Sequence, residues 1–228
     1  GVEQITNGDF ATDSNWIKFG NTTISGGKLN IINSNSTVAI YSNAWETGKT
    51  YKVVVQCTFV SGNRIILPYD GGNFTSEIVI TTPSSDSYTY YYTPSNTNLY
   101  IYSDGNGNGS IDNVSVREVG QDWTLGSGWS IAEDKAVADG TTNNAISQTT
   151  ISSVVGKSYK IDFTIDDYVT GNIRIYFGGV FTPFVNSNGV YSFYIAATAV
   201  DILATSASSL FNGSITNISV KEVGMDWS

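Results

Sequence analysis

Apolar residues occupy every second position of Tyr159-Lys160-Ile161-Asp162-Phe163-Thr164-Ile165. Successive side chains of a strand point to opposite faces, so this spacing predicts a strand with one face covered and one in water. Tyr51, Val53, Val55, Cys57 and Phe59 repeat the pattern, and Leu99 and Ile101 continue it further on. Turn signals separate these runs: Gly26-Gly27, Ser61-Gly62-Asn63, Asp70-Gly71-Gly72-Asn73, Gly105-Asn106-Gly107 and Asn188-Gly189. Half-covered strands between tight turns are the pattern of antiparallel sheets. About eight short strands per hundred residues, packed as two sheets, are expected.

The order of motifs divides the chain. Gly109-Ser110-Ile111-Asp112-Asn113-Val114-Ser115-Val116-Arg117-Glu118-Val119-Gly120 recurs as Gly213-Ser214-Ile215-Thr216-Asn217-Ile218-Ser219-Val220-Lys221-Glu222-Val223-Gly224, with nine of twelve positions identical. Upstream, Gly48-Lys49-Thr50-Tyr51 matches Gly156-Lys157-Ser158-Tyr159, and Tyr88 to Tyr92 aligns with Tyr191 to Ile195. Gly71-Gly72 and Phe74-Thr75 match Gly178-Gly179 and Phe181-Thr182. The expected architecture is therefore all-β, two tandem β-sandwich (jelly-roll) domains, over residues 1–120 and 121–224. Residues 225–228, Met225-Asp226-Trp227-Ser228, echo Gln121-Asp122-Trp123 and read as the start of a third copy, so a longer array is expected.

Composition narrows the chemistry. Only 14% of residues are charged, against 40% hydrophobic, and the polar remainder is mostly Ser, Thr, Asn and Gly. The net charge of −9 repels phosphate backbones, so no nucleic acid is expected, and no segment is long and apolar enough for membrane insertion. With no histidine and one cysteine, Cys57, the Ser-His-Asp and Cys-His nucleophile systems and His- or Cys-based zinc sites are excluded within these residues. Cys57 lies in an alternating run, where a buried, inert thiol is expected.

Asn7-Gly8-Asp9-Phe10, Trp16, Gly48-Lys49-Thr50-Tyr51 and Ile111-Asp112-Asn113-Val114, in that order, resemble the jelly-roll carbohydrate-binding modules attached to xylanases and glucanases. The second copy keeps only the middle and end of that pattern and carries Thr216 in place of Asp112. The closing Val-Arg/Lys-Glu-Val-Gly followed by Asp-Trp also resembles tandem repeats of marine bacteriophage tail and fibre proteins. The resemblance implies polysaccharide or cell-surface glycan as partner, neighbouring repeats of the same chain as further partners, and an extracellular or virion location.

Sugar stacks on aromatic rings while polar groups read its hydroxyls. Alternation turns Leu99 and Ile101 inward, so Tyr100, Tyr102 and Tyr91 are expected outward with Arg64, as one platform in the first copy. Arg174, Tyr176 and Tyr194 are the comparable set in the second. Exposed tyrosine is also ordinary on a sheet, because the residue favours strands. Trp45, in the turn Ser42-Asn43-Ala44-Trp45-Glu46, is the tryptophan expected in a loop-borne ligand site, whereas Trp16, Trp123 and Trp129 are expected to pack across the repeat junction.

Asp104, Asn106 and Asn108, with Asp112 four residues on, follow the oxygen-ligand spacing of an EF-hand loop, although Ser115 stands where a bidentate Glu would. The resemblance implies a structural calcium near Asp9 and Asp112. A Gly/Asn-rich hairpin turn explains the same residues without a metal. Glycosidases need two carboxylates across a cleft. Asp166-Asp167 and Glu133-Asp134 are adjacent and diverge, so a non-catalytic binding pair is expected, with ligand-free spacer repeats as the alternative.

Overall fold

The structure is a computed structural model that describes residues 1–69 and 78–224. The Asp70–Asn73 turn, the Phe74-Thr75 block and the start of a third copy at Met225 lie outside the described residues. The chain separates into two compact units, Gly1–Val119 and Gly120–Ser228. Each is a β-sandwich, and the described residues contain no α-helix.

The first unit contains β1 (Ile17–Lys18), β2 (Thr23–Ser25), β3 (Lys28–Ser34), β4 (Thr37–Tyr41), β5 (Thr50–Ser61), β6 (Arg64–Tyr69), β7 (Ile78–Ile80), β8 (Ser84–Tyr92), β9 (Leu99–Asp104) and β10 (Gly107–Val119). A front sheet runs β2-β3-β10-β5-β8 and a back sheet β1-β4-β9-β6-β7, with every pairing antiparallel. The chain passes from one sheet to the other repeatedly, which is the jelly-roll path. Val53, Val55, Cys57 and Ile111 from the front meet Val38, Ile65, Leu67 and Ile101 from the back in one core. The alternation of β5 sends Tyr51 and Phe59 into that core, and Tyr88 and Tyr90 of β8 pack against it.

The second unit contains β11 (Trp123–Leu125), β12 (Trp129–Ala132), β13 (Lys135–Asp139), β14 (Ile146–Ser152), β15 (Ser158–Phe177), β16 (Val180–Phe181), β17 (Gly189–Ala196) and β18 (Ile202–Val223). Here β15 and β18 are long enough to serve both layers. The first half of β15 pairs with β17, its second half with β16, and β18 accompanies it along both. Register shifts between Asp166 and Asn172 mark the bend, as bulges do where a strand changes sheets. In the first unit the same corner is broken into separate strands at Gly62 and Gly105.

The recurring motifs hold this frame together. The Tyr51 hydroxyl accepts the Glu46 backbone N–H at 2.9 Å, and the Tyr159 hydroxyl accepts that of Val154 at the same distance. Lys49 pairs with Glu118 at 3.3 Å and Lys157 with Glu222 at 2.8 Å. The residues repeated between the copies are thus scaffold, so a site peculiar to either unit must be sought where the copies differ.

The tryptophans pack inside their own units. Trp16 is buried beside Phe10 and Tyr41, each with ring centroids 5.1 Å away. Trp129 is buried against Phe211, and Trp123 packs on the core of the second unit. Each contributes aromatic volume to the core of its own sandwich.

Candidate functional site

On the outer face of the first back sheet, β9 turns Tyr100, Tyr102 and Asp104 outward, since Leu99, Ile101 and Ser103 are buried. Arg64 of β6 is paired with Asp104 in register, and its Nε donates to Asp104 Oδ2 at 2.9 Å. The Tyr100 hydroxyl accepts from Asn98 Nδ2 at 3.3 Å, and both tyrosines are half-buried. Tyr91 is elsewhere: on β8 it stands on the outer face of the front sheet, beside Lys52, whose ammonium lies 5.7 Å from the ring centroid. The expected single platform is therefore split between opposite layers of the sandwich. Alternation fixes which side of its own strand a residue takes, but not which sheet the strand joins.

Trp45 is only 4% exposed, enclosed by Tyr51 and Tyr92 with centroids 5.9 and 5.1 Å away. It is a core residue and not the loop-borne ligand contact expected of it. The turn that carries it folds inward because a ring of that size stabilises the core more than it costs to order.

The front sheet of the first unit also bears a polar depression of about 300 Å³ lined by Lys28, Gln56, Thr58, Ser85, Ser87 and Asp112. In the second unit the register replaces Lys28 by Lys135, Thr58 by Asp166 and Asp112 by Thr216. There Lys135 bridges Asp166 at 3.7 Å and Asp167 at 2.9 Å. Hydrogen bonds from Lys135 and Ser214 hold the Asp167 carboxyl below its ordinary range.

The expected calcium ligands each have partners within the protein. The Asp104 carboxylate faces Arg64. Asn106 is tied through its amide oxygen and backbone to Asn35. Asn108 accepts from the Asn33 N–H and donates to Ser61. Asp112 lies five residues into β10, roughly 16 Å along the strand from its start, where its Oδ1 accepts from the Asn113 N–H. Asp9 is exposed and accepts from the Ala11 N–H. Among the described residues no three acidic, histidine or cysteine side chains cluster for a metal. The turn closes a hairpin through an asparagine network.

The second unit differs most on its back sheet. Ile65 faces Ser103 across the ladder in the first unit, and Ile175 faces Thr205 in the second, each partner being a buried hydroxyl residue. Arg174 thus occupies the place of Arg64, but its cross-strand neighbour is Ser206 instead of an aspartate. Its guanidinium carbon lies 3.7 Å from the ring centre of Phe181 and 4.2 Å from that of Phe184. Tyr176 packs on Phe181 with centroids 4.8 Å apart, and its hydroxyl donates to Asp201. That hydrogen bond pushes the Tyr176 phenol above its ordinary value. Phe181 and Phe184 are 45% and 43% exposed, which is unusual for phenylalanine in a unit with ample core.

The segment that carries these rings is pinned to β15. Thr182 is buried, donates its N–H to the Ile175 carbonyl at 2.8 Å and accepts the Ile175 N–H on Oγ1 at 3.0 Å. Val185 and Ile173 exchange two backbone bonds of 2.8 and 3.0 Å. With Thr182 and Val185 inward, Phe181 and Phe184 turn outward, and Pro183, which has no N–H to give, sits at the sheet edge. Ala204, Ser206 and Ser208 of β18 form a low floor beside the rings.

Of the expected second-copy set, Arg174 and Tyr176 come together on this surface. Tyr194 does not. It is paired with Lys160 on the outer face of the front sheet, 70% exposed. Phe181 and Phe184 were not among the residues expected. The available signal was the segment Phe181-Thr182-Pro183-Phe184, two phenylalanines around a proline with no strand alternation to bury both.

No family model matches the chain, and no curated protein matches it. Among solved structures the chain is similar to the N-terminal CBM22-1–CBM22-2 tandem domain of Xyn10C from Paenibacillus barcinonensis. That likeness has 10% identity and a TM-score of 0.36 over 98% of each chain. A triple jelly-roll protein from the turret assembly of an archaeal virus is similar at 13% identity and a TM-score of 0.28, over 92% of this chain and 59% of that one. At that distance, the side chains themselves decide what each surface can bind.

Proposed function

We propose that the chain is a non-catalytic polysaccharide-binding pair whose working surface is the Arg174–Tyr176–Phe181–Phe184 ledge of the second unit. The observation that carries this reading is the exposure of two phenylalanines packed on one arginine above a floor of Ala and Ser. Flat rings offer a sugar's C–H face a surface to stack on, and the guanidinium and the Asp201 carboxylate supply a donor and an acceptor for its polar groups. The ledge is pre-formed, since backbone bonds at Thr182 and Val185 pin the segment that carries both rings, so little ordering entropy opposes binding. In this reading the protein works where polysaccharide is met, outside the cell or on a virion.

The spacer reading applies to the first unit. There the matching arginine is neutralised by Asp104 and the outward tyrosines are half-buried. Affinity electrophoresis through gels containing different polysaccharides tests the proposal. At least one neutral or acidic glycan is expected to retard the protein, with Phe184→Ala weakening that binding about tenfold and leaving the melting temperature unchanged. Retardation equal in wild type and Phe184→Ala moves the site elsewhere, and no retardation by any glycan leaves the chain as spacer repeats.

A further inference from the structure

We infer that the ledge of the second unit selects saccharides bearing a carboxylate, with Arg174 as the group that reads it; this rests on the ledge being a sugar site. Arg64 and Arg174 occupy matching places on matching strands, and the comparison isolates what differs. Arg64 has its charge answered by Asp104 at 2.9 Å. Arg174 faces Ser206, pairs with no carboxylate among the described residues, and keeps a buried Nε with no hydrogen-bond partner there. Leaving a charged donor desolvated and unpaired is costly, so the arrangement is short of one acceptor. The two phenyl rings hold the guanidinium through cation–π contact, which answers none of its N–H donors with a hydrogen bond.

Those donors form a planar fork, and the matching acceptor is a planar carboxylate, engaged by two parallel hydrogen bonds. A hydroxyl offers a single acceptor oxygen and no charge, and so answers the fork only in part. The floor beside the fork is Ala204, Ser206 and Ser208, small enough to admit the rest of a sugar ring. In the first unit, Tyr102 and Asp104 fill the corresponding places of Ala204 and Ser206. The overall charge of −9 does not oppose this chemistry at short range, because charges more than about 8 Å away are screened at physiological ionic strength. Asp201, which touches the cluster, accepts one hydrogen bond on each carboxylate oxygen, from the Tyr176 hydroxyl and the Ile202 N–H, and keeps capacity to accept a sugar hydroxyl.

A matched pair of glycans decides the point: a polyuronate and the same polymer with its carboxyl groups reduced to primary alcohols. Isothermal titration of the whole chain is expected to show binding of the polyuronate at least about tenfold tighter than of the reduced polymer. Arg174→Gln is expected to abolish that preference, the ratio of the two affinities falling to about one whatever the change in each, and circular dichroism checks that the variant is folded. Equal affinity of the wild type for the two polymers overturns the inference and leaves the sugar site standing. So does a preference that survives in Arg174→Gln. Tight binding of a sulfated glycan but not of the polyuronate also overturns it, since the reader would then prefer a tetrahedral anion. If neither polymer nor any other glycan binds, the sugar reading falls as well.

Discussion

Cys57 and Arg174 show how one side chain's surroundings set its chemistry. Cys57 is 1% exposed among Val55, Phe59 and Ile111, and burial pushes its thiol up to about 12. A thiol is nucleophilic only as thiolate. The folded protein is therefore expected to leave a disulfide reagent such as DTNB unreacted at pH 8 and to consume one equivalent once unfolded in guanidinium. Fast reaction of the folded protein would show that the first core opens locally. Arg174 has the opposite character, a charge held at the surface by rings with part of its donor set unspent. The pattern of the sequence marked both residues, but not why Arg174 differs from Arg64. That difference lies in Asp104 against Ser206, thirty to forty residues away along the chain and adjacent only across the ladder.

At the scale of elements, the corner between the two sheets is where the units diverge. In the first unit Gly62 has φ +119°, and a Cβ there would meet the Gly107 Cα at 2.5 Å and the Asp104 carbonyl at 3.0 Å. Neither obstacle is a flexible side chain, so Gly62→Ala must shift the β9–β10 turn. A destabilisation of about 1–3 kcal/mol is expected, read as a lower urea midpoint with an unchanged slope. A midpoint equal to wild type would mean that the corner tolerates displacement. The alternation of β5, β9 and β15 was legible in advance because period two depends only on local geometry. The merging of two layers in β15 and β18 was not, because a strand with one bulge and two short strands share the same hydrophobic pattern. Trp45 was misplaced for a related reason, since a turn's composition does not reveal which of its side chains folds back into the core.

For the whole molecule, pH exposes the balance of charges. Burial of Glu3 opposes ionisation but is outweighed by hydrogen bonds from Ser115, Val116 and Ile5 and by Arg117, so its carboxyl lies below the ordinary value. Asp139, Asp162 and Asp167 are also lowered, chiefly by side-chain hydrogen bonds from Thr141, Lys160 and Lys135. Carboxyls depressed in the folded state contribute stability that is present above their unfolded value, about 4, and lost as the pH falls through the folded one. Cys57 runs the other way: its contribution is whole below the unfolded thiol value of about 8.5 and is lost as the pH rises toward the folded one. Lys49, Lys135, Lys157 and Lys160 are raised, first by hydrogen bonds to Glu46, Asp167, Glu222 and Asp162, and lose theirs only above about 10.4. With no histidine, nothing in the side chains titrates between. The melting temperature is expected to be flat from about pH 6 to 8, to fall in acid and to decline gently above about pH 8.5. Glu3→Gln should shrink the acid loss, and Cys57→Ala should remove the decline between pH 8.5 and 10. A pronounced maximum near pH 7 would contradict this account.

The sequence by itself determined that the protein is all-β and built as two sandwiches, because alternation, turn chemistry and an internal repeat are local or self-referring signals. It also marked Arg174 and Tyr176 as outward residues. Only the tertiary structure decided which outward residues share a surface. Sheet membership moved Tyr91 and Tyr194 to the front layers, set Asp104 on the back sheet and Asp112 on the front one, and brought Phe181 and Phe184 onto Arg174. The physical reason is that a strand's period fixes the direction of a side chain, while its neighbours are fixed by pairings made with residues distant in the chain.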